Sequence, residues 1–185
     1  MYEFMRKKLE NLPKNAIVFV IISPQHQQDM NIFLLKYWMD LAKRNGAYIS
    51  LNRPYGNLLD TLNMAKIDPN KLFFIDCVTK NEYDVPNCYF LKSQQNLSNL
   101  SIAVSTVMKT EKPSFVFLDS LNTVSLYNEK DAAIKFTHFL ITKLRKNNID
   151  GLIVGIQDEK NKDFITNISQ FCDKVIDISD TSSFI

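Results

Sequence analysis

The stretch AIVFVIISPQHQQDMNIFLLKYWMDL, residues 16–41, reads as a buried strand, a turn and an amphipathic helix in direct succession. Residues 16–22 (AIVFVII) form an unbroken apolar run, the pattern of a strand covered on both faces. Beyond it Met30, Phe33, Leu34, Tyr37, Trp38 and Leu41 recur at three- and four-residue steps, which is one apolar face of a helix. Asn45-Gly46 is placed to end that helix. The turn between, residues 23–31 (SPQHQQDMN), stands where strand–turn–helix nucleotide folds carry a phosphate loop. Such a loop needs glycines so that its N–H groups can converge on the phosphates, a lysine for their charge, and a Ser/Thr hydroxyl for magnesium. The turn holds no glycine and no lysine.

Outward from this stretch, strands and helices alternate. Residues 47–51 (AYISL) read as a second strand, 52–56 as a turn and 57–65 as a modest helix. Residues 72–75 (LFFI) form a third strand ending at Asp76; 80–88 reads as a loop leading to a minor strand at 88–91. Leu97, Leu100, Val104, Val107 and Met108 mark a helix. Residues 114–118 (SFVFL) form a strand ending at Asp119-Ser120, followed by a helix over 129–146 with Asn128 as N-cap and Asp131 completing a capping box. A strand at 152–156 ending at Gln157, a short helix over 161–171 and a strand at 174–178 complete the series. Short apolar strands alternating with helices predict an α/β fold, a mainly parallel sheet flanked by helices.

A chain of 185 residues with 45% apolar and 23% charged residues suits one ordinary globular domain. The absence of any apolar run near ~18 residues argues against a membrane span. The N-terminus lacks a secretory h-region, so the cytoplasm is the expected location. Cys77, Cys88 and Cys172 lack metal-type spacing and read as free, mostly buried thiols. A net charge of +2 argues against autonomous nucleic-acid binding, and the clusters at 6–8 and 143–146 read as solvated helix faces. With only His26 and His138, a histidine-rich metal site is excluded. No Gly-x-Ser-x-Gly elbow and no Gly-x-Gly-x-x-Gly turn follows a strand. Receiver domains place an acidic pair after the first strand, where Ser23-Pro24 stands here.

Ligands of open parallel sheets sit beyond the carboxyl ends of the strands. Those ends offer the 23–31 turn, Asn52-Arg53, Asp76, Asp119-Ser120 and Gln157. The apolar run Phe115-Val116-Phe117-Leu118 before Asp119 has the form of a Walker B strand, whose carboxylate serves magnesium. Gln157 is placed as a polar sensor at the next strand's end. The sequence PSFVFLDSLNTVSLYN at 113–128, the Phe136–Leu140 helical pair and the closing FCDKVI at 171–176 resemble the KaiC-like and RadA-like branch of the RecA superfamily.

That resemblance spans about residues 16–178 and implies a three-layer RecA-like P-loop NTPase fold, one domain over 1–185 with residues 1–15 as an N-terminal extension. It aligns Pro24 and Asp29 with the Walker glycines, Met30 with the lysine and Asn31 with the Ser/Thr. The second strand ends Ser50-Leu51-Asn52-Arg53, without the glutamate that polarises water in the family. With cradle, charge clamp and base missing, ATP hydrolysis is not expected and no residue is assigned a catalytic role. The expectation is a regulatory or scaffolding homologue of archaeal type with a degenerate Walker A loop. Its partner would be a protein, either an active KaiC-like or RadA-like paralogue or a second copy in a homo-oligomer. A vestigial nucleotide site would comprise Gln27, Gln28, Asn31, Asp119, Ser120 and Gln157. No cofactor or metal is expected, with Asp119 as the ligand if magnesium is retained beside ATP. The alternative is a nucleotide- or anion-binding sensor using the amides of Gln25, Gln27, Gln28 and Asn31, with His26 near a bound anion. A DNA-repair accessory role is the weaker third reading.

Overall fold

Asp119 and Ser50 stand side by side at the carboxyl ends of neighbouring strands, and the fold exists around such pairings. The computed structural model describes residues 1–42, 45–80, 85–91, 96–158 and 161–180. In chain order these form α1 (Tyr2–Leu9), β1 (Ile17–Ile22), α2 (Gln27–Ala42), β2 (Gly46–Ser50), α3 (Tyr55–Met64), β3 (Leu72–Asp76) and β4 (Cys88–Phe90). Then follow α4 (Leu97–Thr110), β5 (Phe115–Asp119), α5 (Leu121–Tyr127), α6 (Lys130–Lys146), β6 (Asp150–Ile156), α7 (Lys162–Ser169) and β7 (Lys174–Ile178). Among the described residues the strands make one sheet in the order β4-β3-β2-β5-β6-β1-β7, with every pairing parallel.

The two faces of the sheet are covered by different helices. Val18, Val20, Ile22, Tyr48, Phe74 and Phe117 pack with residues of α1, α2 and α3. Phe19, Ile21, Ile49, Val116, Leu118 and Ile153 pack with α4, α5, α6 and α7. Strand residues alternate between faces, so continuous apolar runs are needed wherever both faces are covered. β1 feeds α2 on one face while its neighbour β6 leads to α7 on the other. A crevice therefore opens between the ends of β1 and β6, the topological switch point of an open α/β sheet. No helix among the described residues is long and apolar enough to cross a membrane.

Several local expectations are corrected. α2 starts at Gln27 and is described as far as Ala42, and Gly46 opens β2 with no positive φ. Its lack of a side chain serves close packing instead: a Cβ there would lie 2.2 Å from the Phe115 ring, on the paired strand. α3 begins within the expected turn, at Tyr55. Asn128 does not cap α6; its Nδ2 donates to the Val124 carbonyl at 3.0 Å, closing the short helix α5, and the N-cap position of α6 is Glu129 without a side-chain bond. α1 and α5 were unexpected elements. Met5 and Leu9 of α1 are 0% and 2% exposed, so this segment joins the core. The side chain of Leu41, and residues 81–84 of the expected loop, lie outside the described residues.

Candidate functional site

The connection from β1 to α2 is four residues, 23–26, of which Pro24–His26 form a 3-10 turn. His26 N–H donates to Ser23 O at 3.1 Å, and Gln27 N–H donates to Pro24 O. Proline has no N–H to give. The tight turn thus closes the His26 and Gln27 donors onto itself, and α2 has already begun where residues 27–31 follow. Asp29 is exposed in the first turn of α2, while Met30 and Asn31 are buried beneath it.

Asp119 sits below this turn. It is 1% exposed, and both carboxylate oxygens accept hydrogen bonds from the protein. Tyr48 Oη donates to Oδ2 at 2.7 Å and Gln27 Nε2 donates to Oδ1 at 3.0 Å. The register explains the first bond: Tyr48 pairs with Phe117, so Asp119 is its diagonal neighbour on the same face of the sheet. The Tyr48 ring stacks on Phe117 with centroids 4.9 Å apart. Burial pushes the Tyr48 phenol well above its ordinary value, and the adjacent carboxylate adds to the shift. The peptide bond between Asp119 and Ser120 is cis.

Ser120 belongs to a second network. Asn52 Nδ2 donates to Ser120 Oγ at 3.0 Å, and Thr123 Oγ1 donates to Asn52 Oδ1. Asn122 grips the end of β6, accepting from Ile156 N–H at 2.6 Å and donating to Ile156 O at 2.7 Å. These bonds fix the wall of a cleft of about 720 Å³ at the switch point. Pro24, Gln27, Asn52, Ser120, Gln157 and Asn161 contribute to its lining, beside α5. Gln157 is exposed there and accepts from Ser179 Oγ at 2.7 Å.

The six residues singled out from sequence are thus divided. Gln27, Ser120 and Gln157 reach the cleft, and Asp119 lies just behind Gln27. Gln28 is exposed and accepts from Arg53 Nη2 at 3.2 Å. Asn31 faces a separate cavity of about 20 Å³ near Tyr48, Arg53 and Thr61; it is 7% exposed and its Oδ1 has no partner. Asn52 stood among the strand-end candidates but outside the six, and Tyr48, Asn122 and Thr123 were not singled out. A tyrosine inside a strand buried on both faces must find a partner for its hydroxyl, and that was the readable signal for Tyr48. Asp76, the other strand-end carboxylate, is 0% exposed and accepts from the N–H groups of Tyr55, Val78 and Thr79 at 2.7, 2.6 and 3.0 Å. It splices the β3 end to the start of α3.

Among the described residues no group of three or more His, Cys, Asp or Glu side chains is placed to hold a metal. His138 is exposed on α6 with its ring 4.9 Å from Phe171. The cysteines are free, and burial pushes the Cys88 and Cys172 thiols up to about 12 and raises Cys77 as well.

No known protein family matches the chain by sequence, and no curated protein does. Its fold is similar to the crystal structure of a KaiC-like protein from the hyperthermophilic archaeon Pyrococcus horikoshii OT3. The TM-score is 0.67 at 12% identity, over 90% of this chain and 73% of that one. The chain has a KaiC/RecA-like three-layer fold.

Proposed function

We propose that the chain is a non-catalytic RecA/KaiC-like homologue that acts by associating with another protein, as a regulatory or scaffolding subunit. The observation that carries this reading is the 23–27 turn: Pro24 has no N–H, and those of His26 and Gln27 are closed onto the turn itself. Phosphoryl transfer depends on preorganised donors and positive charge around the transferred group. In the Walker A comparison, Asp29 and Met30 stand for a glycine and the lysine. Asp119, in the place of the magnesium carboxylate, has Tyr48 and Gln27 on its two oxygens. The retained sheet and helices then serve as a scaffold for association.

Titration with magnesium ATP by calorimetry, together with a phosphate-release assay, tests the catalytic half. Expected are no saturable heat and no release above buffer; tight binding with turnover overturns the reading. Sedimentation velocity tests the association half, on the chain alone and mixed with an active KaiC-like protein from the same cell. A monomer in both samples overturns it.

One observation favours a second reading, a nucleotide- or anion-binding sensor. The cleft is lined by the amides of Gln27, Asn52, Asn122, Gln157 and Asn161, which can donate to phosphate oxygens or to a base edge. It predicts a thermal shift with one member of a nucleotide panel that Asn52→Ala or Asn161→Ala abolishes. No shift across the panel removes it.

A further inference from the structure

We infer that the groove between α4 and α6 is a docking surface for an acidic, amphipathic helical segment of a partner protein. It extends the association reading to a face remote from the strand-end cleft, so a negative nucleotide result leaves it standing. The groove, about 320 Å³, is lined by Ser101, Ile102, Ser105, Thr106, Lys109 and Phe139. Ile102 is 63% exposed and Phe139 36%, two large apolar side chains facing one depression in water.

The polar groups of its floor are already closed. Ser101, Ser105 and Thr106 donate to the carbonyls of Leu97, Ser101 and Ile102 at 2.7, 2.7 and 3.0 Å. A ligand seated there therefore meets small side chains and hydrocarbon, without unsatisfied hydroxyl donors to bridge. This suits an apolar side chain on a closely approaching helix.

Charge names the partner's chemistry. α4 and α6 together hold six Lys or Arg residues and a single acid, Asp131 in the first turn of α6, in a chain whose net charge is only +2. Glu111 lies just past α4, and Asp173 on the far side is paired with Arg145 at 3.0 Å. Lys109 lines the groove and Lys143 Nζ stands 5.1 Å from the Phe139 ring centroid, with Lys135 and Lys146 exposed on the same helix. An apolar seat rimmed by ammonium groups complements an aliphatic or aromatic anchor flanked by carboxylates. Nucleic acid fits less well: it draws on many phosphate contacts along a tract, and the apolar seat would lie idle.

Selection from a random peptide phage library tests this, with the wild-type chain as bait and Ile102→Asp as the counter-target. Ile102 is exposed and Lys143 half-buried on the helix surface, so an unchanged circular-dichroism melt is expected of each variant. Enriched peptides are expected to place Asp or Glu around Leu, Ile, Phe or Trp at helical spacing. A synthetic winner should bind Ile102→Asp and Lys143→Glu at least about tenfold more weakly and lose affinity as salt rises. Failure to enrich, enrichment indifferent to Ile102→Asp, or enrichment of basic peptides overturns the inference. Displacement of the peptide by oligothymidine, with tighter binding of the DNA, overturns it in favour of a nucleic-acid surface.

Discussion

At the scale of single residues, the molecule is governed by a carboxylate that the protein keeps for itself. Asp119 lies under the first turn of α2, bonded to Tyr48 and Gln27. Breaking a buried pair by removing one partner leaves the other unsatisfied, which costs more than the bond contributes. Tyr48→Phe and Asp119→Ala should therefore each lower stability by about 1–3 kcal/mol, read from urea unfolding midpoints. The double variant should cost less than the sum of the two, because they act on one interaction. A double-variant cost equal to that sum would show that the two side chains are energetically independent. Little of this arrangement was legible in the chain. Asp119 was visible as an acid after an apolar run, but its donors come from positions 48 and 27, and only the strand register brings them to one face.

Elements read unevenly, and the reason is length and periodicity. The strands and the long helices α2, α4 and α6 carry enough apolar repeats to announce themselves, and their positions agree with expectation to within a few residues. α1 has eight residues with two fully buried anchors, Met5 and Leu9, beside the half-buried Phe4, while α5 has seven and follows directly on a strand end. Two anchors do not make a period. Their energetic weight is still large: Leu9→Ala and Met5→Ala should each cost about 2–5 kcal/mol in unfolding free energy, whereas Lys7→Ala and Lys8→Ala on the exposed side should change it by less than about 0.5 kcal/mol. Gly46 makes the complementary point. Read as a helix stop, it is a gap left for the Phe115 ring, and Gly46→Ala should cost about 1–3 kcal/mol in the same assay. Phe115→Leu should relieve part of that cost, since the clash is with the ring.

For the whole molecule, the alternation of buried strands with helices made the layered α/β fold readable, because parallel strands covered on both faces leave an unmistakable apolar signature. The cleft was less readable, since its walls are gathered from four separate strand ends by sheet order. One solution property belongs to the entire fold. Tyr48, Cys77, Cys88 and Cys172 are neutral when protonated, and burial raises all four in the folded state. The unfolded chain releases these protons first, near about 8.5 for thiols and about 10 for tyrosine. Folding thus holds protons that unfolding gives up, and their contribution is complete below about pH 8 and declines as pH rises toward the folded values. Urea midpoints measured at about pH 7.5 and 10.5 should fall with pH, and thiol reagents should react slowly with the native chain at pH 8. The strand order also sets a timetable. β1 pairs with β6 and β7, the last strands of the chain, with Ile17 opposite Gly151 and Val18 opposite Lys174. During synthesis at about 5–20 residues per second, this first strand emerges many seconds before either neighbour exists. Its hydrogen-bonding edges must wait while residues 23–149 are made, so a chaperone or the ribosome surface has a long opportunity to engage this protein at residues 17–22.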